Sequence, residues 1–341
     1  MARPTRDPIR QYPTKRPIDP SFRGEDESDD ETLPPELTNL PWVDVHNHAH
    51  TLSWNDRETF ALAGCHAMVM VAAGYYWTPY KPVAPDDVRY LWDDALGRLG
   101  AIRRSHVYDA RLAVGVHTGT RVDNVDALFE VMPDYCALDE VAAVGEIGIN
   151  AIQHVNAWDL DEQRYVNRRQ LEIAADAGLP AILHTPSNPG QASIPDYERG
   201  RIPRYELDTS LQQEPVLDGD TVKRDAIEIS VELKDEAGLA DDRLVLSHGH
   251  PDVVPFVMEN TDCYLSFTVS YPWLHGVSPA DVAAAIREYG PEQLLLETDS
   301  AGVLRNDIFA LKRWIFELYR HGVEVDDIRR VVYENPMELL S

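Results

Sequence analysis

The stretch Trp42-Val43-Asp44-Val45-His46-Asn47-His48 decides the fold. Its valines alternate with polar residues, the period-2 pattern of a strand. Successive strand side chains point to opposite faces, so the pattern predicts Asp44, His46 and His48 on one face and Val43, Val45 and Asn47 on the other. Two imidazoles so spaced at a strand end can converge on one divalent ion. An HxH pair arises often by chance, so its weight depends on the rest of the chain.

Beyond His48, strand-like and helix-like segments alternate. Strands are predicted at 42–47, 67–73, 111–117, 142–147, 180–184, 243–248, 263–268 and 293–298. Helical periodicity occupies 86–104, 123–131, 159–177, 221–237, 252–259, 279–289 and 306–320, with a short helix from Asp326 to Tyr333 ahead of Asn335-Pro336. Such an alternation predicts a (β/α)8 TIM barrel rather than an open sheet. No GxGxxG comes after the first strand, which removes the main reason to expect a dinucleotide-binding fold. Near-continuous Val/Leu/Ile runs suit barrel strands covered on both sides.

The predicted barrel domain spans 40–341. Residues 1–39 mix Arg, Pro and an acidic run from Glu25 to Glu31, and read as an extended arm. A polar Pro- and Gly-rich stretch at 185–220 breaks the rhythm after the fifth strand. It leaves that strand at its C-terminal end and is expected to cover the site, with Arg201 and Arg204 as candidate substrate contacts alongside Tyr197, Arg199 and Tyr205.

Composition narrows the function. The chain has 341 residues, 44% hydrophobic, and a net charge of −27. Stable binding to a nucleic-acid backbone would call for a basic footprint, so that charge disfavours it. The same charge suits a very salty cytoplasm, where screening tames self-repulsion, and a halophilic source is expected. No apolar run approaches the roughly 20 residues of a membrane span, and no signal-peptide core is evident, so a cytoplasmic protein without a membrane partner is expected. Homo-oligomerisation through the arm stays open. Cys65, Cys136 and Cys263 form no CxxC pair and read as small buried residues.

In a TIM barrel, function gathers at the C-terminal strand ends. Read in order, those ends carry His46 and His48, then His117, Glu146, His184, His248 with His250 two beyond, and Asp299. Imidazole nitrogen and carboxylate oxygen are the donors borderline divalent ions prefer. Each residue alone has an ordinary explanation: a histidine capping a strand, a glutamate in a turn, an aspartate capping a helix. Chance would rarely place so many metal-type side chains at the ends of one barrel. His66, His106, His154, His275 and His321 are read as structural.

On these motifs the sequence resembles the TatD-like metal-dependent hydrolases of the amidohydrolase superfamily. The resemblance covers roughly residues 42–340. It rests on Val-Asp-Val-His46-Asn-His48, Val-Gly-Glu146-Ile-Gly, Asn167-Arg-Arg-Gln-Leu-Glu with Leu-Pro-Ala-Ile-Leu-His184, Leu-Leu-Leu-Glu-Thr-Asp299-Ser and Tyr-Glu-Asn335-Pro. It implies two divalent metal ions (Zn, Mn or Mg) bridged by Glu146, one taking His46, His48 and Asp299, the other His184 and His248. The lysines are Lys15, Lys81, Lys223, Lys234 and Lys312, none at a predicted strand end. That argues against a carbamylated-lysine bridge. The sequence departs from the family at His248-Gly-His250-Pro, at Asn150, at Thr118 and in the Thr-Pro-Ser after His184. The metal donors are kept while the substrate surroundings differ.

The expected chemistry is hydrolysis by a metal-bridged hydroxide, with Asp299 and Glu146 as catalytic residues. Asp299 takes the water's proton and passes it to the leaving group. His117 is a candidate donor to an oxyanion. A small or terminal phosphoester is the preferred substrate, with amide or lactone hydrolysis as the alternative and a non-enzymatic barrel scaffold as a further one. His248, which directly ends its strand, is preferred over His250 as the sixth-strand ligand.

Overall fold

In the computed structural model, eight parallel strands form one sheet in the order β1-β2-β3-β4-β5-β6-β7-β8. The structure describes residues 34–72, 82–119, 121–151, 158–188, 216–217, 219–270, 275–302 and 307–341. The strands are β1 (Trp42–Asn47), β2 (Cys65–Ala72), β3 (Asp109–Val114), β4 (Val141–Gly148), β5 (Ala181–His184), β6 (Leu244–Leu246), β7 (Tyr264–Thr268) and β8 (Leu294–Glu297). The (β/α)8 barrel expected from the alternation is the observed architecture.

Alternate strand residues separate two apolar layers. Val43, Val45, Ala67, Val69, Val71, Ala113, Ala143, Ile182, Val245 and Leu295 pack together inside the barrel, with Leu339. Leu112, Val144, Leu183, Leu246, Phe267 and Leu296 face outward into the layer shared with the helices. The barrel closes past the ends of β8 and β1, where Asp299 N–H donates to the His46 carbonyl at 2.8 Å and His48 N–H to that of Ser300 at 2.9 Å. Asp44 fastens the same seam from its side chain, accepting from Thr298 N–H at 3.0 Å and from the Thr298 hydroxyl at 2.5 Å.

Two register irregularities aim site residues. Asp44 pairs with Met68 and Asn47 with Met70, so β1 carries one residue more than β2 over that interval. Gly145 pairs with Ile182 and Ile147 with Leu183, so Glu146 is the extra residue of β4. A bulge re-aims side chains. Val45 and His46 therefore both face inward, while Asp44 lies at the seam. The expectation that Asp44, His46 and His48 share one face is corrected accordingly: strict alternation ends at the bulge, and His48 lies just beyond the strand.

The helices obey their local signals. Leu160–Ala177 starts at a capping box of Asp159 and Glu162 and stops at Gly178, whose φ of 67° suits a residue without Cβ. Pro279–Tyr289 begins with a Ser278–Asp281 capping box. One helix, Trp54–Leu62, was not expected from periodicity. It is short, and Phe60 is its buried apolar anchor, set edge-on against Trp42 at 5.8 Å. Cys65, Cys136 and Cys263 are buried and unpaired, as expected. Among the described residues, no helix is long and apolar enough to cross a membrane.

Candidate metal centre

The strand ends bring His46, His48, Glu146, His184, His248 and Asp299 together. Glu146 lies at the middle. Its Oε1 is 3.1 Å from His184 Nδ1 and 3.2 Å from His248 Nε2, and its Oε2 is 3.5 Å from His46 Nε2. Asp299 Oδ1 is 3.1 Å from His48 Nε2 and 3.8 Å from His46 Nε2. The donors thus fall into two sets, each addressed by a different oxygen of one carboxylate. His46, His48 and Glu146, and likewise His117, Glu146 and His184, have donor atoms close enough to hold a metal ion.

Ring orientation is fixed from behind. His48 Nδ1 donates to the Val71 carbonyl at 3.0 Å, which leaves the Nε2 lone pair toward Asp299. For His46 and His248 the anchor is Glu297, fully buried at the end of β8. The Ser247 and Thr268 hydroxyls both donate to this carboxylate, each at 3.0 Å. Each hydroxyl has a single proton, so Ser247 must accept from His46 Nδ1–H (3.2 Å) and Thr268 from His248 Nδ1–H (2.8 Å). One carboxylate therefore sets both tautomers and turns both Nε2 lone pairs toward Glu146. The sequence reading gave Glu297 no role. Its signal was parity, since it shares the inward face of β8 with Leu295.

The electrostatics suit a cation. Burial opposes a charged His46, but Glu146 and Glu297 on either side outweigh it and raise its pKa well above the ordinary value. Burial also pushes Glu297 up, yet His46, His248 and Ser266 bring it down to about 2. Glu146 is likewise held well below the usual carboxylate range, burial being overcome by His46, His184 and His248. His46 Nε2 is buried and makes no hydrogen bond among the described residues. Nε2 faces two carboxylates that favour positive charge, a position where a divalent ion would take the place of a proton, so the residues fit the metals the motifs imply.

His117 lies three residues past the end of β3 rather than in the strand. Its ring meets His184 edge-on at 4.9 Å, and its Nδ1 accepts Gly119 N–H at 2.9 Å, so the ring proton is on Nε2. Burial leads the causes that lower its pKa to about 3. His250 does not join the cluster: its Nδ1 pairs with Asp252 at 3.1 Å, whereas His248 reaches Glu146. His248 and Asp299 both hold positive φ, 62° and 51°, a conformation non-glycine residues rarely adopt and one that gathers at functional sites. Arg201 and Arg204 lie outside the described residues, with most of 185–220.

Lys223, another residue given no role beforehand, is fully buried in the helix Val222–Ala237. Its Nζ donates to the His248 carbonyl at 2.7 Å and to the Thr185 hydroxyl at 3.1 Å, tying the ends of β5 and β6. Burial lowers its pKa to about 7.

Residues 43–201 match the family model of the TatD-related DNases. A curated relative, an uncharacterized metal-dependent hydrolase of Methanocaldococcus jannaschii, is 24% identical over 295 residues, covering 86% of this chain and 97% of its own. Among solved structures, a TatD-like protein of Archaeoglobus fulgidus superposes with a TM-score of 0.60 at 19% identity, covering 88% of this chain and 99% of that one. The phosphotriesterase homology protein of Escherichia coli gives 0.57 at 11% identity, with 89% and 99% covered. A β-aspartyl dipeptidase of Fervidobacterium islandicum gives 0.58 at 12% identity, with 88% and 73% covered. The TatD match and the curated relative support a TatD-like metal-dependent hydrolase on an amidohydrolase-type barrel.

Proposed function

We propose that the chain is a phosphoester hydrolase whose metal centre is built from His46, His48, Glu146, His184, His248 and Asp299. The observation that carries this reading is the division of donors across Glu146, with one oxygen toward His184 and His248 and the other toward His46. His46, His48 and Asp299 would hold one divalent ion and His184 and His248 the other. When bound, such ions polarise a phosphoryl oxygen and bring an attacking water's pKa toward neutrality.

The protein's own residues do the rest. Asp299, with its Oδ1 beside His48 and His46, accepts a proton from the attacking water and returns it to the leaving oxygen. Glu297, through Ser247 and Thr268, keeps His46 and His248 in the tautomer that faces inward. His117, with its proton on Nε2, is placed to donate to a substrate oxygen. A phosphoester is favoured over an amide because the matching family is one of DNases and because a paired cation site suits in-line displacement. The −27 charge counts against long nucleic acid, which leaves a small or terminal phosphoester.

The test is turnover of p-nitrophenyl phosphodiesters, carboxylic esters and lactones by chelator-stripped protein resupplied with Mn2+, Zn2+ or Mg2+ at high KCl. Metal-restored cleavage of the phosphodiester is expected. Activity confined to carboxylic esters or lactones would overturn the substrate class, and full activity without metal would overturn the centre.

A further inference from the structure

His275 lies between β7 and the helix Pro279–Tyr289, outside the donor set of the metal centre. It is only 5% exposed, and among the described residues neither ring nitrogen has a hydrogen-bond partner. A polar group left buried and unpaired is costly, so two on one ring call for an explanation. The ring stacks on His248 with centroids 4.5 Å apart and planes 3° from parallel. Its nitrogens also lie near His248 and Asp299, with one donor atom from each residue within 4.8 Å of the others.

That proximity alone would make His275 a further metal ligand, but the stacking excludes an ion shared with His248. An imidazole binds a metal along a nitrogen lone pair, in the plane of its own ring. Stacked parallel rings have no point common to both planes. What His275 offers is a neutral imidazole's one N–H donor and one acceptor, beside the carboxylate that handles the proton.

We propose that His275 is a substrate-contacting residue that donates its ring N–H to an oxyanion oxygen of the substrate, opposite the side served by His117. This rests on the metal-centre reading and adds the group that recognises the ligand on the β7 side. The stack on His248 holds the ring in place, so contact with the substrate costs little reorientation.

The test uses inorganic phosphate as probe and the full-length, Mn2+-loaded protein, titrated by calorimetry. His275→Phe keeps a flat ring against His248 and removes both nitrogens, whereas His275→Gln keeps a donor. The expected result is unchanged Mn2+ stoichiometry, phosphate affinity about 10- to 100-fold weaker in the phenylalanine variant, and partial recovery with glutamine. Turnover of a p-nitrophenyl phosphodiester should show a raised KM or a lowered kcat in the same order of variants. Equal phosphate affinity in His275→Phe and wild type overturns the inference, as does loss of Mn2+ from that variant, which would make His275 a ligand. A wild type that loads Mn2+ but takes no phosphate overturns it too and leaves the metal centre standing. A wild type that loads no metal removes the centre and the inference together.

Discussion

Replacing Asp299 by asparagine keeps an oxygen beside His48 but removes the group that accepts a proton. General-base help contributes about 10²- to 10⁴-fold, so Asp299→Asn is expected to lower kcat by that order with KM changed less. Wild-type turnover in the variant would exclude Asp299 from proton transfer. Glu297 makes a different expectation, because it touches the donors only from behind. In Glu297→Gln the amide can donate to Ser247 or Thr268 and unsettle the tautomers of His46 and His248. Metal affinity should fall about 10- to 100-fold, as for other groups that orient ligating histidines. Competition with a coloured chelator measures this directly, and an unchanged affinity would show that the two rings orient without Glu297.

At the scale of elements, the barrel and the strand-end residues that meet in the candidate site were legible for one reason. Barrel strands are apolar on both faces until they reach the site, so a polar residue at the end of an apolar run stands out. His184 after Ala181-Ile182-Leu183 is of this kind, whereas after Leu294-Leu295-Leu296 the first such residue is Glu297, and Asp299 lies two further on. The bulges were not legible, because an extra residue in β1 or β4 shows only against its partner strand. Nor was Lys223, which in sequence is one polar residue of a helix and in space ties β5 to β6. Its burial can be read from pH. With a folded pKa of about 7 against an ordinary 10.5, Lys223 is protonated in both states below pH 7, where the folded protein bears the full cost of burying the charge. Between those values the unfolded chain holds a proton the folded one has shed, so stability should rise with pH by about 1.4 kcal/mol per unit. Denaturant unfolding of wild type and Lys223→Met across this range isolates the effect: their difference should climb above pH 7 and level off near 10.5. A difference flat in pH would mean the lysine stays charged inside the fold.

For the molecule as a whole, the −27 charge sets the response to salt. Like charges on a folded surface repel, and added ions shorten the reach of that repulsion. The melting temperature is therefore expected to rise from dilute buffer to molar KCl, and a flat or falling trend in a thermal scan would argue against adaptation to salt. The seam between β8 and β1 bears on how the chain is made. Asp44 and the Thr298 it holds are 254 residues apart, so the outer edge of β1 emerges from a ribosome long before its neighbour exists. At bacterial and eukaryotic synthesis rates of about 5–20 residues per second, that edge waits on the order of ten seconds to a minute. An unpaired strand edge is a template for other chains. A nascent chain stopped before Leu294 would expose two such edges, on β1 and β7, and should self-associate, whereas adding the eighth strand covers both edges within one chain.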